Sequence, residues 1–502
     1  MKAVLNAREM SKLDDTTINY FRVPSEVLME RAALSVVAAM EDEGIELSDA
    51  LIVCGSGNNG GDGFAVARIL AERDISCSVL YTGKKDYSTM SRESRLEKDI
   101  CLKYDVPVYN EDGFDWSEDA SPVIIDAMFG IGLNRPLDEK SSYIVKMINE
   151  AREEGAYVVS VDIPSGIAAD TGKVMGAAVK ADLTVTFAYK KIGHVLYPGA
   201  EYTGKLVLAD IGITQRAFLQ SKPECIAIEE KDLPCIQRKP YSNKGTYGKI
   251  LIVAGSRDIG GCALLAARAA FMTGAGMVRI YTHKDNRDLI LNSCPEAMVD
   301  TYDYFFEEDK LLSAMEWADV LAIGPGITRN RPADQMLECF IKKSEKPLIV
   351  DADAIYLLKD HEDYLLKNHI RKIIITPHIM EMAGFLDVEK NVILDDIVHA
   401  ARSASDRFGL ICVLKDARTV ITRPSSGYRI NLSGNDGMAS AGMGDTLFGI
   451  IAGLLAQGMD AFEAASFGAF IHGHAADLAV KETGKSGLTA SDVIYHLKEC
   501  LE

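Results

Sequence analysis

Short apolar runs alternate with amphipathic stretches along all 502 residues. In the first half the runs fall at 51–54, 77–81, 123–126, 157–161, 183–187 and 206–209, each the length of a buried strand. Apolar positions recur at helical spacing between them, and this alternation predicts an α/β domain with a mainly parallel sheet. Two helical stretches, 6–20 and 24–42, precede the first strand and read as a cap or a subunit contact, so a homo-oligomer is expected. Between 213 and 245 the pattern weakens, with Pro223, Pro234 and Pro240 set among charged residues. A domain boundary is expected there, dividing the chain into 1–222 and 223–502. The second half repeats the alternation. Strands are expected at 250–254, 278–281, 320–323, 348–350, 373–375 and 412–414, with a small-residue helix at 262–273 and closing helices at 445–457 and 462–480.

Composition narrows the partners. With 54 Lys and Arg against 73 Asp and Glu, the formal charge is −19, so neither nucleic acid nor an anionic membrane is expected. No apolar run approaches the ~20 residues of a spanning helix, and residues 1–10 hold no signal-like apolar core. The ten cysteines show no C-x-x-C pair and no zinc spacing, which reads as a reduced, cytoplasmic protein.

Candidate chemistry gathers at glycine-rich loops. Residues 431–445, Asn-Leu-Ser-Gly-Asn-Asp-Gly-Met-Ala-Ser-Ala-Gly-Met-Gly-Asp, end in Asp445 where an apolar helix begins. Glycines there let backbone N–H groups approach an anion, and the helix end adds partial positive charge. A carboxylate beside such a cradle makes sense if a hydroxyl proton must leave as phosphoryl transfer proceeds. A Walker loop is absent: Gly255 to Gly260 has the spacing, but Gly261 and Cys262 replace the Lys and Ser/Thr.

The loop at 55–63 carries Gly55, Gly57 and Gly60 in G-x-G-x-x-G order and opens a helix at 64–72. The next strand ends in Thr82-Gly83 where a dinucleotide fold wants an acidic residue, which disfavours a hydride-transferring dehydrogenase. Asn58, Asn59 and Asp62 suit a cation as well as phosphate. Asp126 and Asp162 end two further strands, and Ser165 follows the second. Parallel strands share their carboxyl edge, so Asn59, Asp126, Asp162 and Ser165 are expected to converge, although either Asp alone reads equally as a cap or turn former.

Glu9-Met10, Leu-Met-Glu-Arg-Ala at 28–32, Asn-Asn-Gly-Gly-Asp-Gly at 58–63, Asp-Ala-Met-Phe-Gly-Ile-Gly-Leu at 126–133 and Val-Asp-Ile-Pro-Ser-Gly at 161–166 are similar to the NAD(P)H-hydrate epimerases, over about residues 1–213. The resemblance implies a Rossmann-like three-layer αβα domain binding hydrated NADH or NADPH. Asn58, Asn59, Gly60, Gly61 and Asp62 would hold it, with Gly130, Ile131, Gly132, Leu133, Asn134, Arg135 and Pro136. It implies Asp162 in acid–base chemistry at C6 of the hydrated nicotinamide, and Asn59, Asp126 and Ser165 around a potassium ion. Some relatives carry a lysine near 134–135; Arg135 stands here, able to stabilise charge but no ready base. Lys191 matches a further family lysine and reads equally as an exposed charge.

In the second half Gly324-Pro325-Gly326, Asp-Ala-Asp-Ala at 351–354, Thr376-Pro377-His378, Lys-Asp-Ala-Arg-Thr at 415–419 and the loop ending in Asp445 resemble the ribokinase-like fold. Within it they resemble the ADP-dependent NAD(P)H-hydrate dehydratases, over about residues 224–502. The resemblance implies Gly326 and His378 at the hydrated nicotinamide nucleotide, and Asp445 at its hydroxyl. Lys415, Asp416, Ala417, Arg418, Thr419, Gly442 and Gly444 would hold ADP, with magnesium. Tyr356 stands where the family usually has Asn, Asp416 replaces a common Gly, and Ile379-Met380 replaces Pro-Gly. His378 alone reads equally as a turn histidine, and His472 and His474, two apart on a helix, face different directions and make no metal site. Together the halves imply an enzyme that interconverts R and S hydrates and dehydrates the S form with ADP, releasing AMP and phosphate. The alternative is a small-molecule kinase of the same fold fused to a nucleotide-binding module.

Overall fold

The central apolar runs of the first half become neighbouring strands buried on both faces, the condition for a parallel sheet covered by helices, while the edge run 206–209 is only partly buried. The computed structural model describes residues 2–84, 86–110, 114–116, 121–233, 238–367 and 372–501, so Pro234 and Cys235 lie outside the described residues. The chain divides into two compact units, Ala3–Pro223 and Glu224–Glu502.

The sheet of the first unit has seven parallel strands in the order Val108–Asn110, Ser76–Tyr81, Asp49–Cys54, Val123–Ala127, Tyr157–Val161, Leu183–Phe187, Lys205–Ala209. The order reverses between Asp49–Cys54 and Val123–Ala127, so the chain leaves these two neighbours toward opposite edges. A crevice opens at such a switch point, beyond the carboxyl ends of the strands. The helices Ala7–Asp15 and Ser25–Asp42 precede the sheet, and Asn6 starts the first through a capping box with Glu9.

The glycine-rich loop differs from expectation. Helix begins at Asn58, not near 64, and runs to Glu72 with Gly57 as its extended cap. Packing explains why glycines tolerate the helix. A Cβ on Gly61 would lie 2.7 Å from Met29 Cε, and one on Gly63 would lie 2.6 Å from Ala127 Cβ. The helix therefore sits closer to its neighbours than any side chain would permit.

In the second unit seven parallel strands run Met298–Tyr302, Met277–His283, Lys249–Val253, Val320–Ile323, Leu348–Val350, Ile373–Ile375, Ile411–Leu414. Val420–Thr422 and Tyr428–Ile430 then continue antiparallel, with Cys225–Ala227 beside the last. The helix Met443–Ala456 packs on Gly261–Met272 through small residues: a Cβ on Gly449 would lie 2.2 Å from Ala266 O. Among the described residues no helix is long and apolar enough to cross a membrane, and the nine described cysteines are unpaired thiols.

Candidate functional sites

Each unit carries a cavity at the carboxyl ends of its strands. In the first it measures about 650 Å³, and its lining includes Asn58, Asn59, Asp62, residues 128–135, Asp162 and Lys191. The loops following Asp49–Cys54 and Val123–Ala127 both enter it, as the switch point requires. Gly60 and Gly61 are buried inside the helix and Pro136 is outside the lining, so of these segments the helix start and residues 130–135 face the cavity.

Asp162 follows its strand with φ at 64°, a left-handed conformation uncommon for a residue with a side chain. The turn aims its carboxylate back toward the next strand. There Oδ1 accepts from Thr186 Oγ1 (3.0 Å), Phe187 N (3.3 Å) and the Lys191 ammonium. Lys191 is fully buried, and Nζ donates also to Thr186 Oγ1 (2.8 Å) and Phe187 O (3.2 Å). Burial alone would raise the Asp162 carboxyl, but the adjoining Lys191 outweighs it and holds the group below the ordinary range. His194 locks the turn: Nδ1 accepts from Lys191 N at 3.0 Å, leaving Nε2 to donate to Asp162 O at 2.8 Å. Burial, then Lys191, push its pKa down to about 3, so the ring is neutral.

Asp126 and Ser165 lie beside this wall, outside the cavity lining. Asp126 is fully buried and accepts from Ser165 Oγ (2.5 Å), Ser165 N (2.8 Å), Ser160 Oγ (2.9 Å) and Met128 N (3.3 Å). Burial raises its pKa despite these bonds, and among the described residues no Lys or Arg pairs with it. Asn59, against Gly130, has a buried amide nitrogen without a partner among the described residues, and an amide flip would place oxygen there instead. The polar donors on this wall are oxygens, from Asp126, Ser165 and, with the amide flipped, Asn59.

The second cavity measures about 440 Å³ and is lined by Lys415, Asp416, Ala417, Thr419, residues 433–436 and Gly444, among others. Arg418 points elsewhere, donating to Leu432 O at 3.1 Å, and Gly442 is also outside the lining. Gly442 serves as the left-handed cap, φ 87°, that starts the helix carrying Asp445. A Cβ on Gly444 would come no nearer than 3.5 Å to Lys415 Nζ and 4.0 Å to Asp351 Oδ2, so this helix start faces open space beside a cation. Asp351 Oδ1 accepts from Lys415 Nζ at 3.0 Å and Thr376 Oγ1 at 2.7 Å. Burial and then Asp351 raise the Asp445 carboxyl to about 6, with Lys415 opposing.

His378 is a helix cap: Nδ1 accepts from Met380 N and Glu381 N at 3.1 and 3.2 Å, and Glu381 Oε2 accepts from His378 N. It adjoins Lys415 through a backbone bridge, and Gly326 packs against Cys262. Tyr356 lies under the Arg329 guanidinium at 3.5 Å, fitted against Gly384. Asp416 is exposed at the cavity rim. His472, absent from the sequence-based site, lines the cavity with a buried Nε2 that has no partner among the described residues. Among the described residues no group of three or more His, Cys, Asp or Glu is arranged for a metal.

Asp14, Asp351 and His472 escaped the sequence-based site, although Asp351 stood in a recognised strand-end motif. The signal that would have found Asp351 is the same rule that found Asp126 and Asp162: an acidic residue immediately after a buried strand.

Comparison with known proteins covers both units. The family described as NAD(P)H-hydrate dehydratase matches residues 250–499, and the one described as YjeF-related protein N-terminus matches residues 25–193. The bifunctional NAD(P)H-hydrate repair enzyme of Thermofilum pendens is 35% identical, over 99% of this chain and 96% of that relative. That of Moorella thermoacetica is 34% identical, over 98% and 96% respectively. The solved structure of a ribokinase-like superfamily protein from Enterococcus faecalis V583 covers 56% of this chain and 96% of its own, at 28% identity and TM-score 0.50. Matched from end to end, with a family description in each half, the chain belongs to the bifunctional NAD(P)H-hydrate repair enzymes.

Proposed function

We propose that the two cavities carry out two successive repairs on one damaged cofactor. The first unit interconverts the R and S forms of hydrated NADH and NADPH, and the second dehydrates the S form with ADP, yielding the reduced cofactor, AMP and phosphate. The observation that carries the second step is Asp445 at a glycine-opened helix start beside Lys415. Its carboxylate takes the proton of the C6 hydroxyl as that oxygen attacks the terminal phosphorus of ADP. Backbone N–H groups at Gly444 stabilise the transferring phosphoryl group, and Lys415 offsets its charge. Phosphate then leaves from C6, driven by the ring nitrogen lone pair, and a proton lost from C5 restores the double bond. Gly326 and His378 would border the hydrated nicotinamide, with Asp416, Ala417 and Thr419 along the adenine nucleotide.

In the first unit Asp162, held ionised by Lys191, acts at the C6 hydroxyl. Asn59, Asp126 and Ser165 would hold potassium, which supplies the counter-charge Asp126 lacks. Magnesium would enter on the ADP phosphates and would offset their charge there. The unpaired cysteines support a cytoplasmic setting.

Purified chain mixed with hydrated NADH, ADP and magnesium should regain the absorbance of NADH and release phosphate. A stable phosphoester accumulating with no recovery of NADH would favour the kinase reading instead.

A further inference from the structure

The C6 carbon of a nicotinamide hydrate bears both a hydroxyl and the ring nitrogen, so it is a hemiaminal. Hydroxide leaves carbon poorly, and without a phosphoryl donor inversion proceeds through the C6–N1 bond. The hydroxyl loses its proton, C6 becomes an aldehyde, and the bonding pair goes to N1, which takes up a proton. Rotation about C5–C6 and closure on the other carbonyl face reverse both transfers. Two proton-transfer groups are therefore required, acting on different atoms.

Asp162 supplies one. Lys191 cannot supply the other, because its three N–H groups are spent on Asp162, Thr186 and Phe187. Two further acids line the same cavity with no hydrogen-bond partner among the described residues, Asp14 and Asp62. Asp14 belongs to the helix Ala7–Asp15, ahead of the matched family segment at 25–193. Met10, Asp14 and Ile18, spaced by four residues, present one helical face to the cavity. Directly beyond Asp15 the helix widens into a π-helical turn, Thr16–Tyr20.

We propose that Asp14 is the second proton-transfer group of the epimerase site, giving its proton to N1 while Asp162 takes one from the C6 hydroxyl. The proposal rests on the epimerase reading above. The charged groups that line the cavity with Asp14 are Lys191 and Asp162 from the strand ends, Asp62 from the helix Asn58–Glu72, Glu93 from the helix Arg92–Lys103 and Arg135 from the loop at 130–135. Burial, partly opposed by Lys191 and reinforced by Asp162, brings the Asp14 carboxyl to about 7, where it can both give and recover a proton. Asp62 is held far above the ordinary range by burial and its acidic neighbours, so it stays protonated and serves as a fixed donor.

The test follows R-to-S interconversion of NADH hydrate by the full chain, across pH, in Asp14→Asn and Asp14→Glu. A denaturant melt of each variant serves as the measure of folding, since dehydration belongs to the other unit. We expect kcat for interconversion to fall on the order of 10²-fold in Asp14→Asn with KM nearly unchanged. The decline of rate above about pH 7 should vanish, and Asp14→Glu should restore part of the rate. Wild-type rate and pH profile in Asp14→Asn would overturn the proposal, as would a loss confined to KM, which marks a binding residue. Absence of interconversion in the wild-type chain would instead overturn the epimerase reading itself.

Discussion

Lys191 and Lys415 both stand beside a buried aspartate at the carboxyl edge of a parallel sheet, yet they do different work. The Lys191 side chain is 1% exposed and the protein consumes all three of its N–H groups. The Lys415 side chain is 21% exposed and gives one N–H to Asp351, leaving two without acceptors among the described residues. The lysine with donors to spare is open to a ligand, and the saturated one fixes the charge and direction of its neighbour. Under the proposed function, the same pair of residue types would make a phosphate-binding site in one unit and a tuned base in the other.

Removing the base of the second unit should produce the largest effect. Asp445→Asn is expected to slow dehydration on the order of 10³-fold while leaving R-to-S interconversion unchanged. Recovery of NADH absorbance and chromatography of the two hydrates measure these separately. A parallel loss of both activities would break the independence of the sites.

The lysines themselves come next. Lys415→Met should reduce kcat/KM for ADP ~10²-fold, since two charge-assisted contacts to phosphate disappear. Lys191→Met should leave that parameter alone, slow interconversion, and cost about 3 kcal/mol in denaturant unfolding because Asp162 remains buried without its partner. An unchanged KM for ADP in Lys415→Met would sink the distinction between them.

The two activities should also answer pH in opposite directions. Asp445 works ionised, with its carboxyl at about 6, so dehydration should rise as pH climbs through 6 and then level off. Asp14 works protonated at about 7, so interconversion should fall as pH climbs through 7. Profiles of kcat/KM measured on the same preparation decide it.

The smallest effects concern the two helix starts. Gly442, at φ 87°, should cost about 1–2 kcal/mol when replaced by Ala. Gly57 has φ −86° and nothing within 4 Å of a Cβ, so Gly57→Ala should stay within about 0.5 kcal/mol. Denaturant melts of the two variants make the comparison.

Much of this was legible from sequence wherever one segment carried its own signal. The strands with long apolar runs and the loop ending in Asp445 belong to that group. Val108–Asn110, Met298–Tyr302 and Cys225–Ala227 were missed because they are short or only partly buried, so periodicity is faint. Val420–Thr422 and Tyr428–Ile430 flank Arg-Pro-Ser-Ser-Gly, a turn signature that marks them as a hairpin in retrospect. The helix start at Asn58 was misplaced because glycine propensity argues for a loop until the packing of Gly61 and Gly63 is known. Asp14 and Lys191 meet across 177 positions only through the fold, and no local spacing announces such a meeting.

The contact between Gly449 and Ala266 carries a consequence for inherited variation. Gly449 lies one helical turn beyond Asp445, on the opposite concern of packing rather than chemistry. A methyl group there must push the helix off Ala266 by roughly 1 Å to reach ordinary contact, and a displacement of that size at reacting atoms can slow an enzyme ~10²-fold. A substitution at this glycine would thus read out as a catalytic lesion, in a protein whose every proposed catalytic residue is intact.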